Sequence, residues 1–422
     1  MAATLFRDVR VLDCTGAAPF DGSVLVRGDT IAAVAPGAAA IAAADAQVVD
    51  GRGMTLMPGL IEAHSHLTFT DAAQSVDMGF IPPEEHMLKT AANARRMLDA
   101  GFTSCFSAAA AKPRLDVALR NAVLAGEFPG PRTLAASPEL TVSAGLGDVS
   151  LPHMYRENFA VVCNGPEEFR RCARLMVREG VDTLKINVSG DAGTPASPAD
   201  TTVMNEAEVA AVCDVAHAHG RRLAAHARSA QSVKMCLRHG VDVIYHATLL
   251  DDEACGLLAD ARERVFVAPV LGHLHATLHE AAPWGITREV ATARGVAHEL
   301  EQGIASMKAL HARGVRVLIG GDYGFAWNPV GTDARDIAHF VGLLGFPPMD
   351  AILAATRLGG QIMGMGGRLG QVKPGYLADL LLVDGDPLQD VAILQRRECL
   401  AAIMLGGAFW KAPGSGIVTA PH

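Results

Sequence analysis

Between residues 57 and 365 the chain alternates short apolar runs with amphipathic stretches, and this alternation constrains the fold more than any other feature. The apolar runs predict eight β-strands, at residues 57–66, 101–107, 132–137, 182–188, 222–227, 241–247, 265–270 and 315–322. Helices are predicted between them, for example at 82–100, 166–180, 205–220 and 297–314. Because several of these helices end in glycine and the strands are almost entirely apolar, the pattern predicts a closed, parallel (β/α)8 TIM barrel of the α/β class.

The two ends of the chain have a different texture from the middle. Short β-type runs bounded by Gly, Asp or Pro occupy residues 1–54, and similar runs occur at 378–384 and 400–405. We therefore expect one small β-sandwich domain that is built from both ends, residues 1–56 and 366–422, with the barrel at 57–365 inserted between them. The alanine-rich tract at 35–46 is interpreted as a surface loop or a short helix.

Composition limits the class of protein. Hydrophobic residues make up 50% of the 422 residues and charged residues 19%, so a large core is expected and disorder is not. The net charge of −9 argues against nucleic acid as a partner, and no apolar run is long enough to cross a membrane. The first residues do not resemble a signal peptide, and the eight cysteines form no C-x-x-C pair. Reduced thiols in a cytoplasmic protein are therefore expected.

The first predicted barrel strand ends in a His-x-His pair, His64 and His66. Residues i and i+2 of a strand point to the same face, so both imidazoles should face one point at the end of a buried strand. Such a pair is typical of a site for a divalent metal ion such as zinc. The alternative is a pair of hydrogen-bonded histidines with no metal.

Polar residues interrupt four other predicted strands at the end where barrel enzymes carry their reactive groups. They are Lys185, His226, His246 and Asp322. A buried lysine has a lowered pKa, and its neutral amine can react with CO2 to form a carbamate, an anion able to bridge two metal ions. Asp322 would be both a metal ligand and the general base. Each residue alone is a weak signal, but six residues at the same ends of five strands strongly indicate a metal site.

The other histidines have simpler interpretations or weaker links to this site. The pair His217 and His219 lies on a predicted helix, where i and i+2 do not share a face, and is interpreted as a surface pair. Three histidines follow strand 7 on the predicted catalytic side, and two of them, His273 and His275, are candidates for substrate contact. The glycine-rich segment 141–155, which carries His153, is interpreted as a lid or pocket segment, or else an ordinary long loop.

Over essentially its full length the sequence resembles the amidohydrolase superfamily. The stretch Met57-Pro-Gly-Leu-Ile-Glu-Ala-His-Ser-His66 is similar to the family's first strand, and residues 370–384 are similar to its return into the small β-domain. Lys185 lies where the carbamylated lysine of the family is expected. Within this superfamily the sequence more closely resembles the prolidase-like and imidazolonepropionase-like branch, which includes ochratoxin amidases and the molinate and phenylurea hydrolases.

The resemblance implies two divalent metal ions, with zinc preferred and Mn, Fe, Co or Ni as alternatives. His64, His66 and Asp322 would hold one ion and His226 and His246 the other, with carbamylated Lys185 between them. A hydroxide that bridges the metals would then attack an amide-type carbonyl carbon, and Asp322 would pass the proton to the leaving nitrogen. The implied substrates are small amides, N-acyl amino acids, dipeptides, carbamates, thiocarbamates or ureas.

Two residues beside the predicted ligands each have two predicted roles. Arg228 should share a face with His226, where it would grip a substrate carboxylate or form a salt bridge across the barrel rim. Tyr323 would be a pocket wall or a hydrogen-bond donor to a carbonyl. Alternative functions are hydrolysis of a cyclic amide or imine, a deaminase, which usually uses one metal and lacks the lysine, and a non-catalytic scaffold. The resemblance also implies a homo-oligomer.

Overall fold

The structure is a computed structural model that describes residues 3–37, 39 and 41–419. The strands of the described residues are β1 Ala3–Val11, β2 Phe20–Arg27, β3 Thr30–Pro36, β4 Gln47–Asp50, β5 Met54–Pro58, β6 Leu60–Ser65, β7 Phe102–Ser107, β8 Arg132–Leu134, β9 Ala136–Thr141, β10 Ala160–Val162, β11 Thr183–Asn187, β12 Arg222–Ser229, β13 Val243–Leu249, β14 Phe266–Ala268, β15 Leu380–Asp384, β16 Leu400–Leu405, β17 Ala408–Lys411 and β18 Val418–Thr419.

The α-helices lie mostly between the strands of the middle segment. They are α1 Pro83–Asp99, α2 Leu115–Leu124, α3 Pro166–Arg178, α4 Glu206–Ala218, α5 Ala230–His239, α6 Asp252–Asp260, α7 Leu271–His279, α8 Arg288–Ala293, α9 Val296–Ala312, α10 Arg335–Gly342, α11 Pro348–Ala354 and α12 Arg357–Ile362. Short 3-10 turns occur at Ser75–Phe80, Ala282–Trp284, Val391–Gln395, Arg397–Cys399 and Ser415–Ile417. The four helices named from the sequence are therefore present, each within a few residues of its predicted bounds.

The described residues form two compact units. The terminal unit comprises the described residues of Met1–Glu62, Arg95–Cys105 and the described residues of Gly331–His422. The barrel unit comprises Ala63–Ala94 and Phe106–Val330. Strands β6 and β7 and helix α1 contribute residues to both units. The domain bounds drawn from the sequence, at residues 56 and 366, stay a prediction.

In the terminal unit, strands from both chain ends join one nine-stranded sheet. Its order is β17-β16-β15-β5-β1-β2-β3, and β4 pairs with both β1 and β18. β1 changes neighbours along its length, because Thr4–Arg7 pair with β4 whereas Arg10 and Val11 pair with β5. The register of β1 against β2 shifts between Phe6 and Val9, and Asp8 between them has a φ of 55°. A bulge of this kind bends a strand, which lets β1 serve two parts of the sheet.

In the barrel unit, parallel strands form a ring. Six of them follow the order β10-β9-β11-β12-β13-β14, and every pair among them is parallel. The ring closes through backbone hydrogen bonds at its ends. Ala110 N donates to Ser137 O at 3.0 Å, and Val267 N donates to Arg316 O at 3.0 Å. Because these six strands are parallel, their carboxyl ends lie at the same end of the ring.

The eighth predicted strand is regular only in pieces. Val317 forms one isolated parallel bridge with Val267, and Tyr323 forms another with Ser65. Asp322 N donates to His64 O at 3.0 Å, and His66 N donates to Tyr323 O at 2.8 Å. The segment thus links its two neighbours at different points of its length, and the glycines at 320 and 321 lie between those points. Periodicity predicted the position of this strand but not its interruption.

Three smaller predictions can also be compared with the structure. In the described part of the alanine-rich tract, strand β3 ends at Pro36 and no helix is present. Residues 38 and 40 of the tract lie outside the described residues. All eight cysteines lie within the described part of the chain and are free thiols. Among the described residues, no helix combines the length and the apolar character needed to cross a membrane.

Candidate metal centre

The His-x-His pair ends strand β6, as the sequence predicts. His64 is the fifth residue of this fully buried strand and His66 follows its last residue. The ring centroids of the two histidines lie 5.8 Å apart. His66 Nδ1 lies 3.2 Å from the carbonyl oxygen of Ala109, so a proton on Nδ1 leaves the Nε2 lone pair available. Burial lowers the pKa of His64 well below its usual value, which keeps the imidazole neutral and suited to a metal ion.

Lys185 lies on β11 and is 1% exposed. Burial lowers the pKa of its amine, although the nearby carboxylates of Glu139 and Asp322 oppose this effect. Lys185 Nζ lies 3.6 Å from Glu139 Oε1 and 4.8 Å from the centroid of the Tyr245 ring. A buried lysine with a lowered pKa has a larger fraction of neutral, nucleophilic amine than an exposed one, which is the condition for reaction with CO2.

His226 and His246 lie on the neighbouring strands β12 and β13, and their ring centroids are 4.1 Å apart. His226 Nε2 lies 2.9 Å from the carbonyl oxygen of Gly190, and burial, followed by the charge of Arg228, lowers its pKa to about 3. Burial likewise lowers the pKa of His246 well below its usual value. His246 is 1% exposed, and neither of its ring nitrogens has a hydrogen-bond partner among the described residues. A buried imidazole without a partner is costly unless it binds something else.

Asp322 lies at the end of the eighth strand segment with its carboxylate directed at the His-x-His pair. Its Oδ1 lies 3.0 Å from His66 Nε2 and 3.5 Å from His64 Nε2. Burial alone would raise the pKa of Asp322, but the adjacent imidazoles of His64 and His66 hold it well below the usual value. Asp322 has a φ of 60° and His246 a φ of 75°, both in the left-handed region that non-glycine residues rarely adopt. Strained backbone at two predicted ligands is typical of a functional site.

These side chains fit a metal ion. Three donor atoms lie within 4.8 Å of one another, one from each of the buried residues His64, His246 and Asp322. Neutral imidazoles and a carboxylate are the donors that zinc and similar divalent ions prefer. His246, whose two ring nitrogens lack partners among the described residues, is the observation that most directly requires such an ion. Three of the six predicted ligands therefore meet at one point although they lie far apart in the sequence.

A cavity of about 350 Å³ opens over these residues. This is within the range of small-molecule sites, roughly 300–1,000 Å³. All six predicted ligands line it, namely His64, His66, Lys185, His226, His246 and Asp322. One wall is aromatic: Phe69 stacks on His66 with centroids 3.9 Å apart, and Phe325 lies edge-on to Phe69 at 5.7 Å. The cavity thus joins a polar, metal-binding floor to an apolar wall.

A model of the Amidohydrolase family matches residues 55–409, which is most of the chain. The chain belongs to the amidohydrolase family. It is 23% identical to ochratoxinase from Aspergillus niger over 386 residues, which cover 86% of this chain and 76% of that protein. It is 26% identical to the imidazolonepropionase of Rubrobacter xylanophilus over 407 residues, which cover 91% of this chain and 90% of that protein.

A solved structure agrees with this assignment. The crystal structure of a prolidase complexed with N-methylphosphonate-L-proline matches with a TM-score of 0.87 and 27% identity, covering 97% of this chain and 100% of that one. The family, the branch and the fold class expected from the sequence, a TIM barrel with a small β-sandwich domain, are confirmed by these matches. The chain is therefore a hydrolase that acts on carbon–nitrogen bonds.

In this amidohydrolase, Arg228 is held by two carboxylates. Its Nη2 lies 2.6 Å from Asp191 Oδ2, and its Nη1 pairs with Glu299, which also accepts a hydrogen bond from Thr248 Oγ1 at 2.7 Å. Arg228 is 2% exposed, although it lines the cavity. The sequence suggested either a carboxylate clamp or a salt bridge for Arg228, and the structure contains the salt bridges. They join β12 to α9 and to the loop that follows β11. Its role as a carboxylate clamp stays a prediction.

Of the other residues predicted to contact substrate, only some line the cavity. His273, on α7, lines the cavity, its ring is 4.6 Å from Phe325, and its Nδ1 has no hydrogen-bond partner among the described residues. His275 is half-buried on the same helix and lies against His279. The Tyr323 side chain is fully buried, and His153 is exposed in its loop. The described lining of the cavity includes none of these last three, so their contact with substrate stays a prediction.

Sequence reasoning missed three carboxylates around the site. Glu139 on β9 pairs with Lys185 and accepts a hydrogen bond from Asn187 Nδ2 at 3.0 Å, while Asp191 and Glu299 hold Arg228. Glu139 lies just beyond the predicted end of strand 3, in a segment where every residue is buried. A carboxylate just after the carboxyl end of a predicted strand was the available signal. No local pattern indicates Glu299, because its partner is 71 positions away in the chain.

Gly320 supports the site by having no side chain. A Cβ at this position would lie 2.6 Å from His64 Cβ and 3.1 Å from Ala268 Cβ. We expect Gly320→Ala to displace His64, to weaken metal binding or activity by about ten- to a hundredfold, and to destabilise the fold by about 1–3 kcal/mol. Metal content after dialysis and the denaturant midpoint measure the two effects.

Gly256→Ala is the matched control, because it makes the same change in helix α6 of the same unit, where a Cβ meets nothing within 4 Å. It should leave metal content unchanged and raise stability by up to about 1 kcal/mol. Equal metal content and equal activity in the Gly320→Ala protein would show that His64 tolerates the added methyl group.

Proposed function

We propose that this chain is a binuclear, metal-dependent amidohydrolase that cleaves an amide-type C–N bond of a small molecule. The observation that carries the proposal is the meeting of neutral, buried imidazoles, a buried lysine and a buried carboxylate in one cavity. Substrates within its range are N-acyl amino acids, dipeptides, carbamates, thiocarbamates and ureas. The solved prolidase, which is complexed with N-methylphosphonate-L-proline, supports an amino-acid derivative among these.

His64, His66 and Asp322 would hold one divalent ion, His226 and His246 would hold the other, and Lys185, as its carbamate, would supply an anionic ligand to the pair. Zinc suits these nitrogen and oxygen donors best, and Mn, Fe, Co or Ni would fit them as well. Bound ions would supply Lewis acidity, which polarises a carbonyl group and makes water more acidic. His66 and His226 are already oriented for ligation, because each offers its other ring nitrogen to a backbone carbonyl oxygen.

The side chains then have separate tasks. Asp322 is ionised and buried beside the reacting position, so its carboxylate takes a proton from the attacking water and delivers it to the leaving nitrogen. His273 faces the cavity with an available ring nitrogen and would bind a polar group of the substrate. Arg228 holds Asp191 and thereby positions the loop after β11 along the cavity. The aromatic wall excludes water from one side of the reacting bond.

A deaminase or a hydrolase of cyclic amides remains the alternative on the same fold. Deaminases of this superfamily usually bind one metal and lack the lysine bridge. The burial of Lys185 within the cavity, with a lowered amine pKa, favours the binuclear reading. The two readings differ in metal content, which can be measured directly.

The first experiment is elemental analysis of protein purified without chelator, together with hydrolysis of a small substrate panel. The panel contains an N-acyl amino acid, a dipeptide, a thiocarbamate, a phenylurea and a cyclic imide. We expect about two metal ions per chain and turnover of at least one acyclic amide. About one ion with turnover of the cyclic compound alone would favour the alternative. No metal and no turnover after reconstitution with bicarbonate and zinc or manganese would contradict both.

A further inference from the structure

We propose that Tyr245 is a positioning residue of the metal centre, because its ring fixes His64 by stacking and holds Lys185 by a cation–π contact. The inference rests on the proposed function for the identity of the bound ions. It concerns a side chain that has no assigned role in the reaction. Tyr245 would act through these two ligands and not through the substrate.

Tyr245 lies among the predicted ligands without facing the cavity. It is on β13, directly before His246, and 0% of its surface is exposed. The described residues that line the cavity do not include Tyr245. Any influence of this tyrosine on the reaction therefore has to pass through the side chains that it touches.

The first contact of the Tyr245 ring is with the imidazole of His64. The two rings are stacked, with centroids 4.0 Å apart and an interplanar angle of 23°. His246, the next residue along β13, meets the same imidazole edge-on, with centroids 4.9 Å apart. A ring that is packed in this way cannot rotate freely, so the orientation of His64 is set before an ion binds.

The second contact of the ring is with Lys185. Its Nζ lies 4.8 Å from the centroid of the Tyr245 ring. This distance is within the roughly 6 Å over which an ammonium group is attracted to an aromatic face, and the attraction is stronger where water is excluded. Lys185 is 1% exposed, and its amine also lies 3.6 Å from Glu139 Oε1. The ring is thus a second, uncharged neighbour that restricts the position of the amine.

Small residues on the intervening strands allow Tyr245 to reach His64. In the ring of strands, β14 and the eighth strand segment separate β13 from β6. Ala268 on β14 lies opposite Tyr245, and a Cβ at Gly320 would lie 3.1 Å from Ala268 Cβ and 2.6 Å from His64 Cβ. Because neither intervening residue has more than a methyl group, the two aromatic rings can meet across two strands.

These contacts connect ligands that have different tasks in the proposed centre. His64 would hold one ion, whereas Lys185 would supply an anionic ligand to the pair. One ring that touches both side chains restricts both before any ion binds. Ligands that are already ordered lose less conformational freedom on binding, so the ring should strengthen the binding of metal.

The test compares variants that keep or remove the ring. Tyr245→Phe keeps it, whereas Tyr245→Met and Tyr245→Leu remove it, and the use of two ring-free variants avoids dependence on the folding of one. Phe169→Met is the matched control, because Phe169 is also fully buried in the barrel unit but lies on α3, outside the described lining of the cavity. Circular dichroism and the denaturant midpoint of each metal-free protein establish that it is folded.

Metal binding is measured without any substrate. Chelator-stripped full-length protein is titrated with zinc in bicarbonate buffer against a chromophoric chelator, and the absorption spectrum of the cobalt(II)-loaded protein reports the geometry around the ion. Loss of the ring should weaken zinc binding by about 10–100-fold, the usual cost of losing a partner of a metal ligand, and should change the cobalt(II) spectrum. Tyr245→Phe and Phe169→Met should match the natural chain in both measurements.

A double-mutant cycle tests the contact with Lys185 separately. Tyr245→Met is combined with Lys185→Ala, and zinc binding is measured with acetate in the buffer to keep a carboxylate in the site. If the ring acts partly through Lys185, its removal should cost less in the Lys185→Ala protein than in the natural chain. Equal fold-changes in both backgrounds would overturn the contact with Lys185.

Natural zinc affinity and an unchanged cobalt(II) spectrum in a folded ring-free variant would overturn the proposal. Equal losses in Tyr245→Phe or in Phe169→Met would also overturn it, because the ring at this position would then not be the cause. Ring-dependent metal binding without hydrolysis of any amide in the panel would instead contradict the proposed function and leave the role of Tyr245 supported. Hydrolysis with metal binding that does not depend on the ring would do the reverse, so the two failures are distinguishable.

Discussion

Lys185→Ala is expected to lower kcat/KM by more than about a hundredfold and to reduce the metal content of the purified protein. The loss of an outer-shell partner of a metal ligand typically costs about 10–100-fold, so the loss of a group that would bind both ions should cost more. The physical reason is that the anionic bridge disappears while the buried site keeps its neutral imidazoles. Elemental analysis and steady-state kinetics on the same preparation measure both effects.

Partial rescue distinguishes a carbamate from a structural lysine. A short carboxylic acid such as acetate or propionate, added to the Lys185→Ala protein with metal, should restore part of the activity, because it can occupy the space of the missing side chain and supply two oxygens. Lys308→Ala, a change of an exposed lysine on α9, should behave as the natural chain does. Full turnover by the Lys185→Ala protein, with two metal ions still bound, would refute the bridged site.

Asp322→Asn is expected to lower kcat by about 10²–10⁴-fold, the usual contribution of a general acid–base residue. Asparagine keeps a neutral oxygen donor but cannot take up the proton that the carboxylate accepts. It also suits the backbone, because Asp322 has a φ of 60° and asparagine is one of the few residues that adopt this region readily. Metal content should therefore fall less than in the Lys185→Ala protein.

Kinetics at saturating metal separate the loss of the base from the loss of a ligand. Under these conditions kcat should stay low while KM changes little, since the missing proton transfer matters only in the transition state. Asp252→Asn, in the exposed first turn of α6, is the matched control and should leave both constants unchanged. An Asp322→Asn protein with the natural kcat would show that another group moves the proton.

Much of the fold and of the site could be predicted because the signals are local. The alternation of apolar runs and amphipathic helices predicted the strands of the ring and the helices between them. The His-x-His spacing predicted the convergence of His64 and His66, since side chains two apart on a strand share a face. Lys185, His226 and His246 could be predicted because each interrupts an otherwise apolar strand near its carboxyl end.

Other parts of the site depend on residues that are distant in the sequence. The left-handed backbone at His246 and Asp322 results from the packing of neighbouring strands, because neither residue type nor position in the sequence indicates it. The pairing of Arg228 with Glu299 joins a strand to a helix 71 positions later.

The sequence by itself determined the barrel, the family and the set of metal-binding candidates, because periodicity and residue type are properties of short segments. The tertiary structure alone decided which charges are already neutralised and which remain available. Ion pairs such as Arg228 with Asp191 depend on the distance between atoms of different elements, and that distance is fixed by packing. For the same reason the residue types on the strands predicted the chemistry of the site, whereas the shape and the charges of the folded cavity determine which substrate it accepts.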